Sequence, residues 1–222
     1  MRQTVADTGD QLLREVEEDL QREQWLKLWK SYGRYAVGAV VLVIVIVAGY
    51  TGYSSYRLSQ LAEDGHAFWQ ADRSVTLGDV DEATAFFDAL VQDGSGGYPY
   101  LAGLREAQLL AAGGDRDGAV ALYDQLAAMG DVAELYRQLA ALYAVMLLVD
   151  EGDPVAVNSR IVPLLQSPWR YSAMEMQALL QLRTDDTAAA VATFQAIVID
   201  PNTPTTLRNR AAELLAIAGG AQ

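Results

Sequence analysis

Ala107 to Leu126 reads AQLLAAGGDRDGAVALYDQL, and the spacing of five residues in it decides the fold. Ala107, Gly114, Ala119, Tyr123 and Leu126 stand at offsets 0, 7, 12, 16 and 19. The same offsets recur upstream in Ala71, Gly78, Ala83, Phe87 and Leu90, and downstream in Ala178, Asp185, Ala190, Phe194 and Ile197. A weaker copy, Ala144, Glu151, Ala156, Arg160 and Pro163, lies between them, with Gly152 one place off. A small residue midway along a first helix lets a second helix approach closely. Gly or Asp at offset 7 tolerates the left-handed conformation that ends a helix. Ala four residues before an aromatic, followed by Leu or Ile, forms the packing stripe of the second helix. Each hairpin can bury its apolar face only against its neighbours, which is the logic of a stacked repeat array.

The anchors at 71, 107, 144 and 178 are 36, 37 and 34 residues apart. This pattern resembles the tetratricopeptide repeat, whose unit is about 34 residues, although helix–turn–helix repeats of other kinds share such spacing. Gly78-Asp79, Gly94 to Gly97, Gly113-Gly114-Asp115, Gly130-Asp131, Gly152-Asp153-Pro154, Ser167-Pro168 and Asp200-Pro201 punctuate the helices. Thr205 to Ala218 carries Leu207, Ala211, Leu214, Leu215 and Ile217 and reads as a helix capping the last repeat. No alternating strand pattern occurs. The expected fold is all-α, with about nine helices over residues 57–222 and Ala71, Ala83, Ala107, Ala119, Ala178 and Ala190 at close helix contacts.

Residues 35–56, YAVGAVVLVIVIVAGYTGYSSY, hold no charge and are flanked by Arg34 and Arg57. At 1.5 Å per residue, 22 helical residues span about 33 Å, enough for a hydrocarbon core of about 30 Å. In lipid the backbone must satisfy its own hydrogen bonds, so the β-branched run from Val40 to Val47 reads as helix despite its strand propensity. Tyr32 and Tyr35 at one end and Tyr50, Tyr53 and Tyr56 at the other suit interfacial aromatic belts. The run is too long for a signal peptide's apolar core and lacks a small-x-small cleavage site, so it reads as an uncleaved anchor. A buried core helix is the competing interpretation. Arg22, Lys27, Lys30 and Arg34 lie upstream, against Arg57 and the more distant Arg73 downstream. The positive-inside rule therefore puts residues 1–34 in the cytoplasm and 57–222 outside. In the leader, Leu13, Val16 and Leu20 recur among acids, then Trp25, Trp29 and Tyr32 alternate with cations. This reads either as an interfacial amphipathic helix or as a frayed tail.

The 222 residues carry 16 Lys plus Arg against 29 Asp plus Glu, with one His and no Cys. Residues 57–222 hold ten Arg, no Lys and 22 acids, a net of -12. Without cysteine there is no disulfide or thiolate metal site, and an acidic surface does not neutralise phosphates, so nucleic acid is not an expected partner. Lone His66, the Asp79, Asp81 and Glu82 cluster and the Asp150, Glu151 and Asp153 turn read as surface and capping residues. Gly94-Ser95-Gly96-Gly97 lacks the lysine of a phosphate loop. No catalytic constellation, cofactor site or metal site is expected.

The stretches REVEEDLQREQWLKLWKSYGRYAVG and YRLSQLAEDGHAFWQA, on either side of the anchor and ahead of the repeats, resemble the YfgM-type ancillary subunits of the SecYEG translocon. The resemblance implies the inner membrane of a Gram-negative bacterium, a periplasmic repeat domain, and a non-enzymatic role passing emerging polypeptides to periplasmic chaperones. An assembly factor or accessory subunit of another inner-membrane complex is the alternative. The groove of tetratricopeptide proteins, carried over by offset, selects Phe68, Asp72, Leu101, Leu104, Gln108, Gln138, Ala141, Val145, Glu175 and Leu179. That set has no lysine, so it fits extended apolar or basic segments better than an acidic C-terminus. Alternatively, the same residues only pack between repeats. For the topology, a reporter active only in the cytoplasm should be silent when fused after Gln222; activity there overturns the orientation.

Overall fold

Three aspartates that lie eight residues beyond an anchor position join consecutive helices in the same way. The Asp79 N–H reaches the Ser74 carbonyl at 2.9 Å while the Gly78 N–H reaches Val75 at 3.1 Å. Asp115 and Gly114 repeat this on Leu110 and Ala111, and Asp186 and Asp185 on Gln181 and Leu182. Each is a Schellman motif, which requires its penultimate residue to be left-handed. Gly78, Gly114 and Asp185 have φ of 86°, 89° and 61°. The carboxylate of the same aspartate then caps the next helix, accepting from the Glu82, Gly118 and Ala189 N–H groups at 3.4, 3.0 and 3.2 Å.

These turns organise the computed structural model, which describes the backbone of residues 4–220 and the side chains of residues 29–219 apart from Ala36. The helices are α1 (Thr4–Leu77), α2 (Val80–Asp93), α3 (Tyr98–Ala112), α4 (Arg116–Ala128), α5 (Glu134–Leu148), α6 (Pro154–Leu164), α7 (Arg170–Arg183), α8 (Thr187–Ile199) and α9 (Thr205–Gly220). The described residues contain no strand. Among the described residues the all-α expectation and the nine helices hold.

The chain forms two units, Met1–Ser59 and Gln60–Gln222. In the first, α1 runs without a break through the apolar stretch, whose Val37 and Val40 to Val47 side chains are all more than half exposed. The helix is long and apolar enough to cross a membrane. The amphipathic expectation for Leu13, Val16, Leu20, Trp25 and Lys27 lies outside the residues whose side chains are described.

In the second unit each even-numbered helix is sandwiched between two odd-numbered ones. Ala71 of α1, Ala83, Phe87 and Leu90 of α2 and Ala102 of α3 form one apolar cluster. Tyr123 and Leu126 of α4 pack with Tyr100 and Ala107 of α3 and Ala140 and Ala144 of α5. Val157, Ile161 and Leu164 of α6 pack with Val145 of α5 and Ala173, Met176 and Leu180 of α7. Ala190, Phe194 and Ile197 of α8 close the array against Ala178 of α7 and Leu207 and Ala211 of α9. All six alanines expected at close contacts are fully buried.

The third copy needs correction. Its buried residues are Val145, Val157, Ile161 and Leu164, with Gly152 and Asp153 in the turn. These keep the offsets 0, 7, 8, 12, 16 and 19, one residue later than the Ala144, Glu151, Ala156, Arg160 and Pro163 set expected from sequence. Ala156 and Pro163 are exposed, and Arg160 turns outward to pair with Asp124. Gly152 acts here by close approach rather than by left-handed backbone. An added Cβ would meet the Leu148 carbonyl oxygen at 2.8 Å and Val157 Cγ2 at 2.9 Å.

Neighbouring repeats are also tied by polar contacts about one period apart. Tyr100 Oη donates to the Tyr136 carbonyl at 2.6 Å, Trp169 Nε1 to the Leu135 carbonyl at 2.9 Å, and Arg160 to both Asp124 oxygens. Ala119 is fully buried, so added volume there must be accommodated by its neighbours. Ala119→Leu should cost about 1–3 kcal/mol by overpacking α3 against α4. A melting curve identical to that of the parent chain would refute this register.

Candidate functional site

The odd-numbered helices carry all ten residues expected to line a groove, and the fold uses them unequally. Arg105 of α3 is the junction that sequence reasoning missed. It pairs with Asp72 of α1, while its Nη1 donates to Gln108 Oε1 at 3.1 Å, so three residues from two repeats form one polar bridge. The signal was available: Arg105 follows Asp72 by 33 residues, close to one period. Leu101, in the first turn of α3, is exposed. Leu104 is half-buried against the α3–α4–α5 cluster.

Four of the others are held by packing. Phe68 places its ring 5.5 Å from Phe87, edge-on, and 6.1 Å from Tyr98. Val145 is fully buried, so it belongs to the core and not to an open wall. Ala141 and Leu179 lie against the α5–α6–α7 cluster, half-buried. Gln138 donates to Glu134 at 2.8 Å while its Oε1 is turned inward without a hydrogen-bond partner. With the corrected third register, Met146, at 45% exposure, takes the place assigned to Val145. The surface left open by the expected set is therefore Leu101, the Asp72–Arg105–Gln108 bridge and the flanks of Leu104 and Leu179, extended by Met146.

Glu175 is 3% exposed, and both of its oxygens accept from Arg210 of α9. A carboxylate so placed is held in the folded state only with its charge matched and its lone pairs filled. This hydrogen-bonded pairing raises the Arg210 pKa. The pair latches the capping helix to α7, which accounts for the burial of an acid at a position expected to face a ligand.

The remaining polar groups follow local physics. Burial, then the neighbouring Tyr143, Tyr136 and Tyr123, push the Tyr100 hydroxyl up to about 12. Burial and then Asp88 raise the Glu106 carboxyl. The Asn202 backbone N–H, then the Tyr171 hydroxyl, lower Asp200. Asp79 and Asp153 are helix caps and Glu151 pairs with Arg116, which accounts for the acids clustered in those turns. Among the described residues, no three or more of His, Cys, Asp and Glu come together as a metal-binding group.

The tetratricopeptide repeat-like domain matches residues 26–200. The chain belongs to that family. The matched residues take in the apolar stretch of α1 as well as the repeats. No curated protein and no solved structure matches the chain. A domain of this family is a protein–protein interaction scaffold, which agrees with a surface built from helix faces.

The latch can be tested directly. Arg210→Ala strands the Glu175 charge and should lower stability by about 2–3 kcal/mol, a value reduced from that of a fully buried pair because Arg210 is half-exposed. Replacing both residues with Met should recover most of the loss in urea denaturation. Equal stability of the parent and Arg210→Ala chains would rule the latch out.

Proposed function

We propose that the protein is a non-enzymatic scaffold anchored in the bacterial inner membrane, with residues 1–34 cytoplasmic, 35–56 spanning the bilayer and 57–222 periplasmic. There it serves as an ancillary translocon subunit that receives emerging polypeptides and passes them to periplasmic chaperones. The observation that carries the membrane part is the uncovered run from Val37 to Val47. Among the described residues of its own unit nothing buries these side chains, and water penalises so large a contiguous apolar surface. Lys27, Lys30 and Arg34 upstream supply the positive side of the anchor. Support for the scaffold part comes from the family, and the translocon part rests on the resemblance of the segments flanking the anchor.

The groove's ligand follows from charge. Arg105 is engaged by Asp72, Arg210 by Glu175, and Arg183 donates to the Gly152 carbonyl at 2.6 Å. Each of these arginines already has an internal partner, and the net of -12 over residues 57–222 repels anions. The groove therefore takes extended apolar or basic segments rather than an acidic C-terminus.

Chemical crosslinking in native membranes, read out by mass spectrometry, should yield translocon subunits as the principal neighbours. A second arm, Leu104→Arg with Gln108→Arg in a chain of unchanged helicity, should lower crosslinks to translocating clients several-fold. Neighbours drawn only from another membrane complex would overturn the translocon assignment, and unchanged client yields would overturn the groove.

A further inference from the structure

A different part of the array presents a second surface. Leu135 and Tyr136 are consecutive in the first turn of α5, and they are 42% and 50% exposed. Large apolar residues that stand singly on a surface need no explanation, but a contiguous pair held rigid does. The backbone beneath this pair is clamped from both sides. Tyr100 of the preceding repeat donates its hydroxyl to the Tyr136 carbonyl at 2.6 Å, and its ring lies 6.0 Å from that of Tyr136. From the following repeat, Trp169 donates its indole N–H to the Leu135 carbonyl at 2.9 Å. Together the two side chains form a short apolar strip at the start of α5.

This arrangement has the features of an interface anchor. A Tyr side chain offers a large contact area at low entropic cost, Leu135 adds apolar area beside it, and the backbone of both is fixed before any partner arrives. The charges that lead into the strip, Asp131 and Glu134, are exposed and acidic. Arg137, one turn on, has its Nε turned inward and away from solvent. A second copy of the chain would bring another net charge of -12 against this one, which opposes self-association.

We propose that the edge formed by Leu135 and Tyr136 docks a cationic amphipathic helix of a partner protein, its apolar face on the strip and its Lys or Arg side chains toward Asp131 and Glu134. This surface lies on α5, apart from the α3 groove residues Leu101, Leu104 and Gln108, so each can fail without the other.

The test uses the full chain in neutral detergent and a fluorescent synthetic helix of leucines and lysines, with a leucine–glutamate helix of equal length as control. The lysine peptide should bind in a salt-dependent manner and the glutamate peptide should not. Leu135→Ala with Tyr136→Ala should weaken binding at least tenfold, whereas Leu104→Arg with Gln108→Arg should leave the contribution of this edge intact. If the double alanine chain melts early, Leu135→Asn alone supplies a second variant, and amide exchange of residues 131–138 should slow on adding the peptide to the parent chain. Equal affinity of the parent and double alanine chains, equal binding of both peptides, or a dimer of the parent chain that the double alanine change dissociates would each overturn the proposal.

Discussion

The structure depends on one aspartate used twice at each Schellman turn. Its N–H closes the helix behind it and its carboxylate opens the helix ahead, so the two helices are joined with no free residue between them. That constraint fixes the distance from the anchor of the first helix to the packing stripe of the second at 12 residues. Once this distance is fixed, the small anchor of one helix meets the small residue of the next, as at Ala71 with Ala83 and Ala178 with Ala190, and Ala107 and Ala119 are likewise fully buried. The apolar stripe that follows is then aimed at the neighbouring repeat, and stacking is the only way to cover it.

The turn between α5 and α6 meets the same constraint by another route. Asp153 still caps its helix, accepting from the Ala156 N–H at 2.9 Å, but Gly152 is not left-handed and its N–H bonds to the Leu148 carbonyl at 2.8 Å. The repeat keeps its internal spacing, and the extra residue falls in the connection before it. Val145 and Val157 replace the two alanines, so this hairpin packs branched side chains where its neighbours pack methyl groups.

This substitution explains how much could be read from the chain alone. Three copies were legible because Ala, Gly and aromatic residues have distinctive roles at their offsets, and the apolar stretch was legible from its length and lack of charge. The third copy was displaced by one residue because Ala144 is itself fully buried, against α4, and so imitates an anchor. The candidate groove was legible only as a set of helix positions. Which of them face solvent depends on contacts between repeats, such as Arg105 with Asp72 and Arg210 with Glu175, and residue types do not encode those directions. The exposed Leu135–Tyr136 pair was likewise hidden, because its rigidity comes from Tyr100 and Trp169 roughly one period away on either side.

The corrected register of the third repeat links turn, core and surface, and cysteine accessibility measures it most directly because the chain has no cysteine of its own. Single cysteines placed at 144, 145 and 146 of the full chain would be labelled with a small maleimide under native conditions. The account predicts rapid labelling at 146 and protection at both 144 and 145. Rapid labelling at 145 together with protection at 146 would contradict it.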